Sequence, residues 1–121
     1  MVGSRVWLIP DGYLPVKSTG DQVSHESVCV LNTSDQDATI QITIYFEDRE
    51  PMDQFAARCS SRRTHHIRLD RLQNQAGRVI PRGVPYALQV ESDVPIVVQH
   101  SRLDTSQEAL ALFTTMAFPI E

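Results

Sequence analysis

Ile96, Val98, His100, Arg102 and Asp104 recur at every second position of one strand-like run. Alternate side chains of an extended backbone share a face, so two apolar groups there are followed by an imidazole, a guanidinium and a carboxylate. The apolar pair wants a core, and the polar trio can move a proton, hold an anion or fix a hydroxyl. The series marks a polar site at the rim of a β-sheet core. Two other carboxylates share that placement: Glu26 lies on the face of Val28 and Val30, and Asp48 follows Ile44 and Phe46. Arg63 alternates with His65, Ile67 and Leu69, a set read as core-facing, where a guanidinium needs an acidic partner. His25 and His66 can converge on His100 from neighbouring strands. Trp7 lies beside the Asp11-Gly12-Tyr13 turn and offers an aromatic face on which sugar C–H groups stack while hydroxyls bond to Asp, Glu, Arg or His. The candidate ligand-binding site is therefore Trp7, His25, Glu26, Asp48, Arg63, His66, His100, Arg102 and Asp104. The plainer alternatives are core packing for Trp7, single hydrogen bonds for the histidines, and salt bridges closing the end of the fold.

Other chemistry finds less support. Three imidazoles suit a divalent metal, but the chain has no HxH, HExxH or mixed Cys-His spacing. Adjacent His65 and His66 face opposite sides of a strand. There is no GxSxG elbow, no Cys-His signature and no glycine-rich phosphate loop. Glu26 with Asp48 or Asp104 could imitate a glycosidase pair, yet any β protein supplies such pairs by chance. The expectation is a non-enzyme without metal or cofactor.

The positioning elements read as strands almost throughout. Residues 6–9 form a short first strand, and 10–24 a turn-rich loop punctuated by Gly12, Pro15 and Gly20. Residues 25–32 are apolar on both faces, as in the middle of a sheet. Residues 39–48 alternate most cleanly, with Ile40, Ile42, Ile44 and Phe46 inward. Residues 55–60 and 63–69 are further strands, and 70–83 is a loop with one helical turn at 71–74. Tyr86, Leu88 and Val90 mark a strand that ends in a tight turn at Ser92-Asp93, leading into 94–104. Residues 110–118 close the chain as a strand with Leu112, Met116 and Phe118 on one face. About eight strands with short spacers predict an all-β fold, a single-domain antiparallel β-sandwich over residues 1–121.

With 121 residues, 41% hydrophobic and 21% charged, the composition is that of a globular domain rather than a disordered one. No apolar run approaches the roughly 20 residues of a spanning helix, and the first ten residues lack a secretory pattern, so a cytoplasmic location is expected. Cys29 and Cys59 have no CxxC spacing; Cys29 reads as a small core residue. The net charge of −4 conceals an uneven distribution. Residues 58–82 hold seven Arg and one acid, a net +6, which leaves −10 for the rest. Such a patch can receive carboxylates or phosphates, or pair with the protein's own acids.

Several segments together resemble the soluble sensory rhodopsin transducer family (Anabaena sensory rhodopsin transducer-like). They are Trp7 with Asp11-Gly12-Tyr13 and Pro15; Ser24-His25-Glu26-Ser27-Val28-Cys29-Val30-Leu31-Asn32; Ile42-Thr43-Ile44-Tyr45-Phe46 with Asp48-Arg49-Glu50-Pro51; Arg62-Arg63-Thr64-His65-His66-Ile67-Arg68; and the run through Arg102-Leu103-Asp104. The resemblance runs in order from Trp7 to about Phe118, departing in the arginine-rich loop at 70–83. It implies a β-sandwich assembling as a homotetramer, a cytoplasmic partner of a membrane photoreceptor, and small-molecule binding, including sugars, across the wider family. The leading expectation is a non-enzymatic ligand-binding or signal-transducing module. The alternative is an adaptor docking on a membrane sensory rhodopsin, with DNA binding through residues 58–82 behind both.

Overall fold

The computed structural model describes residues 2–120, which contain eight strands and no helix. These are β1 (Ser4–Gly12), β2 (His25–Asn32), β3 (Ala38–Phe46), β4 (Met52–Cys59), β5 (Arg63–Arg68), β6 (Tyr86–Asp104), β7 (Ala111–Met116) and β8 (Phe118–Ile120). Every ladder is antiparallel. The all-β sandwich expected from the alternation is what the chain forms.

One strand organises both layers. The first part of β6 pairs with β3 (Phe46↔Tyr86 to Ile40↔Ser92) and with β1 (Ile9↔Leu88 to Val6↔Glu91). Its second part pairs with β2 (Leu31↔Val97 to His25↔Leu103) and with β7 (Met116↔Gln99 to Ala111↔Asp104). Strands that pass from one layer to the other make the corners of sandwiches. The tight turn expected at Ser92-Asp93 is therefore absent, and β6 is one strand of 19 residues. Tyr86, Leu88, Val90, Ser92, Val94, Ile96, Val98 and His100 are all buried, an unbroken period of two that outweighs a weak dipeptide turn signal. Asp93 stays extended, its carboxylate accepting the Thr39 N–H at 2.8 Å.

Trp7 fastens the point where β6 changes layer. Its indole Nε1 donates to the carbonyls of Ser4 and Ile96, each at 3.0 Å. The ring is 5% exposed among the core residues, so it has no face open to a sugar. The core it joins also holds Ile40, Ile42 and Ile44 of β3, Val28 and Val30 of β2, Ile67 of β5 and Phe55 of β4, as the alternation of those runs requires.

Three other expectations are corrected. Residues 71–74 make no helical turn. Asn74 instead accepts the N–H groups of Ala76 and Arg78 on Oδ1 and donates to the Asp53 carbonyl, holding a tight loop against β4. That loop covers a sheet edge beside a bulge at Gln54 (φ 65), where a ladder register shift falls between Ile42 and Ile44. The closing strand splits at buried Ala117, β7 joining β6 and β8 joining β1. Leu112, Met116 and Phe118 point away from the core, exposed by 72%, 52% and 61%. Finally, Cys29 is half-buried and Cys59 is the core thiol, held above its ordinary pKa by burial; both are free. No helix among the described residues is long and apolar enough to cross a membrane.

Trp7→Phe keeps an aromatic side chain but removes the indole N–H from the Ser4 and Ile96 carbonyls and leaves a small void. It should lower unfolding free energy by about 1–3 kcal/mol in urea titrations. An unchanged midpoint would mean that the indole N–H does not hold the crossover.

Candidate functional site

The site is built on one buried carboxylate. Glu26, on the inner face of β2, has no exposed surface and accepts four hydrogen bonds. Oε2 takes the Tyr13 N–H at 2.8 Å and Arg102 Nε at 2.5 Å. Oε1 takes His100 Nε2 at 3.0 Å and the Tyr86 hydroxyl. The β2–β6 register sets Glu26 opposite Arg102 and Val28 opposite His100, so both side chains arrive from one strand. Tyr86 comes from the other end of that strand, reaching across from the opposite layer. Its ring lies against Gly12, where a Cβ would fall 2.4 Å from the nearest ring carbon; only glycine leaves room.

The electrostatics follow from this packing. Burial pushes the Glu26 pKa up, but the bonds from His100, Tyr86 and the Tyr13 amide outweigh it and leave the carboxyl below its ordinary 4.5. Glu26 is thus an acceptor only, and His100 presents a proton on Nε2 to it. Burial and the neighbouring Glu26 charge drive the Tyr86 phenol far above its ordinary pKa, keeping it a donor.

Arg102 extends the cluster towards solvent. Its guanidinium lies 5.0 Å above the Phe113 ring, which also meets His100 edge-on at 6.1 Å. The Arg102 Nη2 is buried without a hydrogen-bond partner, 3.8 Å from Asp11 Oδ1. Asp11 and Phe113, which both approach Arg102, also line a cavity of about 140 Å³ with Ile9, His100, Thr115 and Phe118, among others; Arg102 itself does not line it.

Of the nine residues predicted from sequence, the structure brings Glu26, His100 and Arg102 together. Trp7 is committed to the crossover. His25 precedes Glu26 but points elsewhere, its Nδ1 bonding the Val23 carbonyl at 2.9 Å. Asp104 sits at the end of β6, where Ser106 donates to it through N–H (2.9 Å) and hydroxyl (2.6 Å), lowering its pKa. Asp48 is in the exposed turn after β3, paired with Arg49 at 3.0 Å, because inward alternation stops before it. Arg63 is exposed and donates to the Arg62 carbonyl instead of meeting an acid, since the apolar face of β5 begins only at Ile67. His66 is exposed on the outer face opposite Cys29. Neither carboxylate pair with Glu26 forms, and no three His, Cys, Asp or Glu among the described residues gather to hold a metal.

Tyr86, Phe113, Asp11 and the Tyr13 amide are the partners that sequence reading missed. One signal was present for Tyr86: an even number of positions separates it from His100, which puts both on one face of an unbroken strand. A second anchor stands nearby. Asp70 takes a two-pronged bond from Arg68, both contacts 2.8 Å, and lies 3.7 Å from Arg82 Nη2. Burial raises the Asp70 pKa, yet Arg68 outweighs it and holds the group below its usual range. Arg82 Nη1 donates to the Pro15 and Ser24 carbonyls, tying the loop that carries Tyr13 to the one after β5.

A lowered folded-state pKa adds stability above the unfolded value, and that stability is lost as pH falls through the folded value. The Glu26 cluster should therefore contribute fully above about pH 4.5 and fail below it. Glu26→Gln is expected to cost about 3–5 kcal/mol at neutral pH and to flatten the acid side of a Tm-versus-pH profile. Parallel acid limbs in wild type and variant would contradict this assignment.

The family described as Anabaena sensory rhodopsin transducer matches residues 2–119. The crystal structure of Thermotoga maritima 1070 superposes with a TM-score of 0.90 at 42% identity, covering 100% of this chain and 98% of that one. The structure of the Anabaena sensory rhodopsin transducer gives a TM-score of 0.76 at 41% identity, over 88% of this chain and 94% of that one. None of the curated proteins matches. With an eight-stranded sandwich of the same shape and a match over nearly its whole length, the chain belongs to the Anabaena sensory rhodopsin transducer family.

Proposed function

We propose that this chain is a non-enzymatic, cytoplasmic signal-transducing module that receives a small hydroxylated, sugar-like ligand beside Arg102. Family membership supports the signalling role. The observation that carries the ligand is the unpartnered, buried Arg102 Nη2 standing 3.8 Å from Asp11 Oδ1. That gap is too long for a direct hydrogen bond, and a shift of the largely exposed Asp11 side chain would let one hydroxyl enter, accepting from Arg102 and donating to Asp11. Phe113 and Phe118 offer apolar walls for C–H groups, and about 140 Å³ holds a small polyol or one edge of a sugar ring. Glu26 orients Arg102 in this reading and does not itself meet the ligand. Of the residues expected at the site, Trp7, His25, Asp48, Arg63, His66 and Asp104 take no part.

A second reading has the chain dock on a membrane sensory rhodopsin, which rests on the family and on the name of the Anabaena relative. Assembly as a homotetramer is compatible with either reading. It is supported by Leu110, Leu112, Phe113, Met116, Phe118 and Ile120, which leave β7, β8 and their approach apolar and exposed.

Isothermal titration against glycerol, pentoses and hexoses should give saturable heat. Asp11→Ala, a change at a largely exposed side chain, should weaken it by about tenfold or more. Absence of heat from every compound removes the ligand reading; capture by a detergent-solubilised sensory rhodopsin would then favour the second. For assembly, light scattering should report a mass about four times 13.6 kDa. Leu112→Asp with Phe118→Asp should reduce it, and a monomeric wild type would reject the tetramer.

A further inference from the structure

The arginines of residues 58–82 divide into two groups. Arg58 pairs with Asp37, and Arg68 and Arg82 pair with Asp70. Among the described residues Arg62, Arg63, Arg71 and Arg78 make no salt bridge. Three of these four, Arg62, Arg63 and Arg71, lie at or just beyond the ends of β5, which is hydrogen-bonded only to β2 among the strands and leaves its other edge without a strand partner. Residues 63–66 of that edge are exposed throughout.

Between β5 and β4 runs a groove of about 370 Å³. Ala57, Ile67 and Leu72 give it an apolar floor, and His66, Arg68 and Arg71 a basic rim. Arg62 adds a second observation. It adopts φ 54, a left-handed conformation that is strained for a non-glycine residue. Its N–H donates to the Ser34 carbonyl at 3.1 Å, so the turn is fixed. Glycine or asparagine would suit that turn better, yet an arginine with a free side chain occupies it.

We infer that the open edge of β5 docks an acidic, extended peptide segment of a partner protein, added as a further strand. An unpaired edge supplies main-chain donors and acceptors, and Arg63–Arg68 offers them at every second residue over a strand of ~20 Å. Carboxylates at the two ends of such a segment meet Arg62 and Arg63 at one end and Arg71 at the other; apolar side chains between them cover the partly buried Ala57 and Leu72. Duplex DNA is the competing polyanion. It has no use for a strand edge or an apolar floor, and the net −10 on the rest of the chain repels a long phosphate backbone more than a short peptide.

Fluorescence anisotropy with a fluorescein-labelled Glu-Val alternating peptide of about ten residues tests this, against a Lys-Val peptide and a labelled duplex DNA. The acidic peptide should bind with an affinity that falls with salt, while the Lys-Val peptide does not bind. Arg63→Glu with Arg71→Glu, two exposed changes checked for folding by circular dichroism, should weaken binding by about tenfold or more. Amide exchange in residues 63–68 should slow when the peptide is added. Four results overturn the inference: no binding at low salt, duplex DNA binding as tightly as the peptide, unaltered binding by the folded double variant, or self-association of the wild type that the double variant abolishes, which would make a second copy the occupant.

Discussion

A carboxylate removed from water must be surrounded by donors or give up its charge. Glu26 is fully enclosed and keeps its charge because four donors reach it, from the loop after β1 and from both ends of β6. No single hairpin could supply them. The donors are brought together only when β6 has bent from one layer into the other, so a local need for compensation specifies the global path of the chain. The cluster adds little net stability over a well-packed apolar core, but removing one partner from it is expensive. Its value lies in allowing only one arrangement of the two layers.

The same constraint explains the neighbouring details. Gly12 is bare because the Tyr86 ring must pass close to β1 to reach Glu26. Trp7 holds the carbonyl of Ile96 at the crossover, and Arg82 ties down the loop that presents the Tyr13 amide. Arg102 is held by Glu26 on one side and Phe113 on another, which leaves one buried nitrogen without a hydrogen bond.

Much of this was legible in the amino-acid order. The period of two gave β2 and β3 nearly at their observed limits, and the row from Ile96 to Arg102 was placed at the rim of the core where it lies. Errors came where alternation was extrapolated past its physical cause. Asp48 follows the inward series of β3, but the chain has already turned by that point. Arg63 precedes Ile67 in phase, yet the sandwich does not extend far enough to cover it. Trp7 was offered to a ligand because pattern alone cannot tell an aromatic at a rim from one in a core. Tyr86 was lost to an assumed turn at Ser92-Asp93. Phe113 was unreadable, since β7 buries little and its position depends on pairing with a distant strand.

The shared strand has a consequence for how the chain acquires its shape. None of β1, β2 and β3 pairs with another of the three; each pairs with β6. Until residues 86–104 have left the ribosome, only the β3–β4 hairpin and the β2–β5 ladder are available, and β1 has no partner at all. Synthesis at roughly 5–20 residues per second leaves the apolar faces of β1 and β3 waiting for seconds. Both layers then close around β6 in one late, long-range step, the kind of topology that folds slowly. Biogenesis of this sandwich is therefore gated by one strand, and its vulnerable interval for aggregation or chaperone capture ends when that strand arrives.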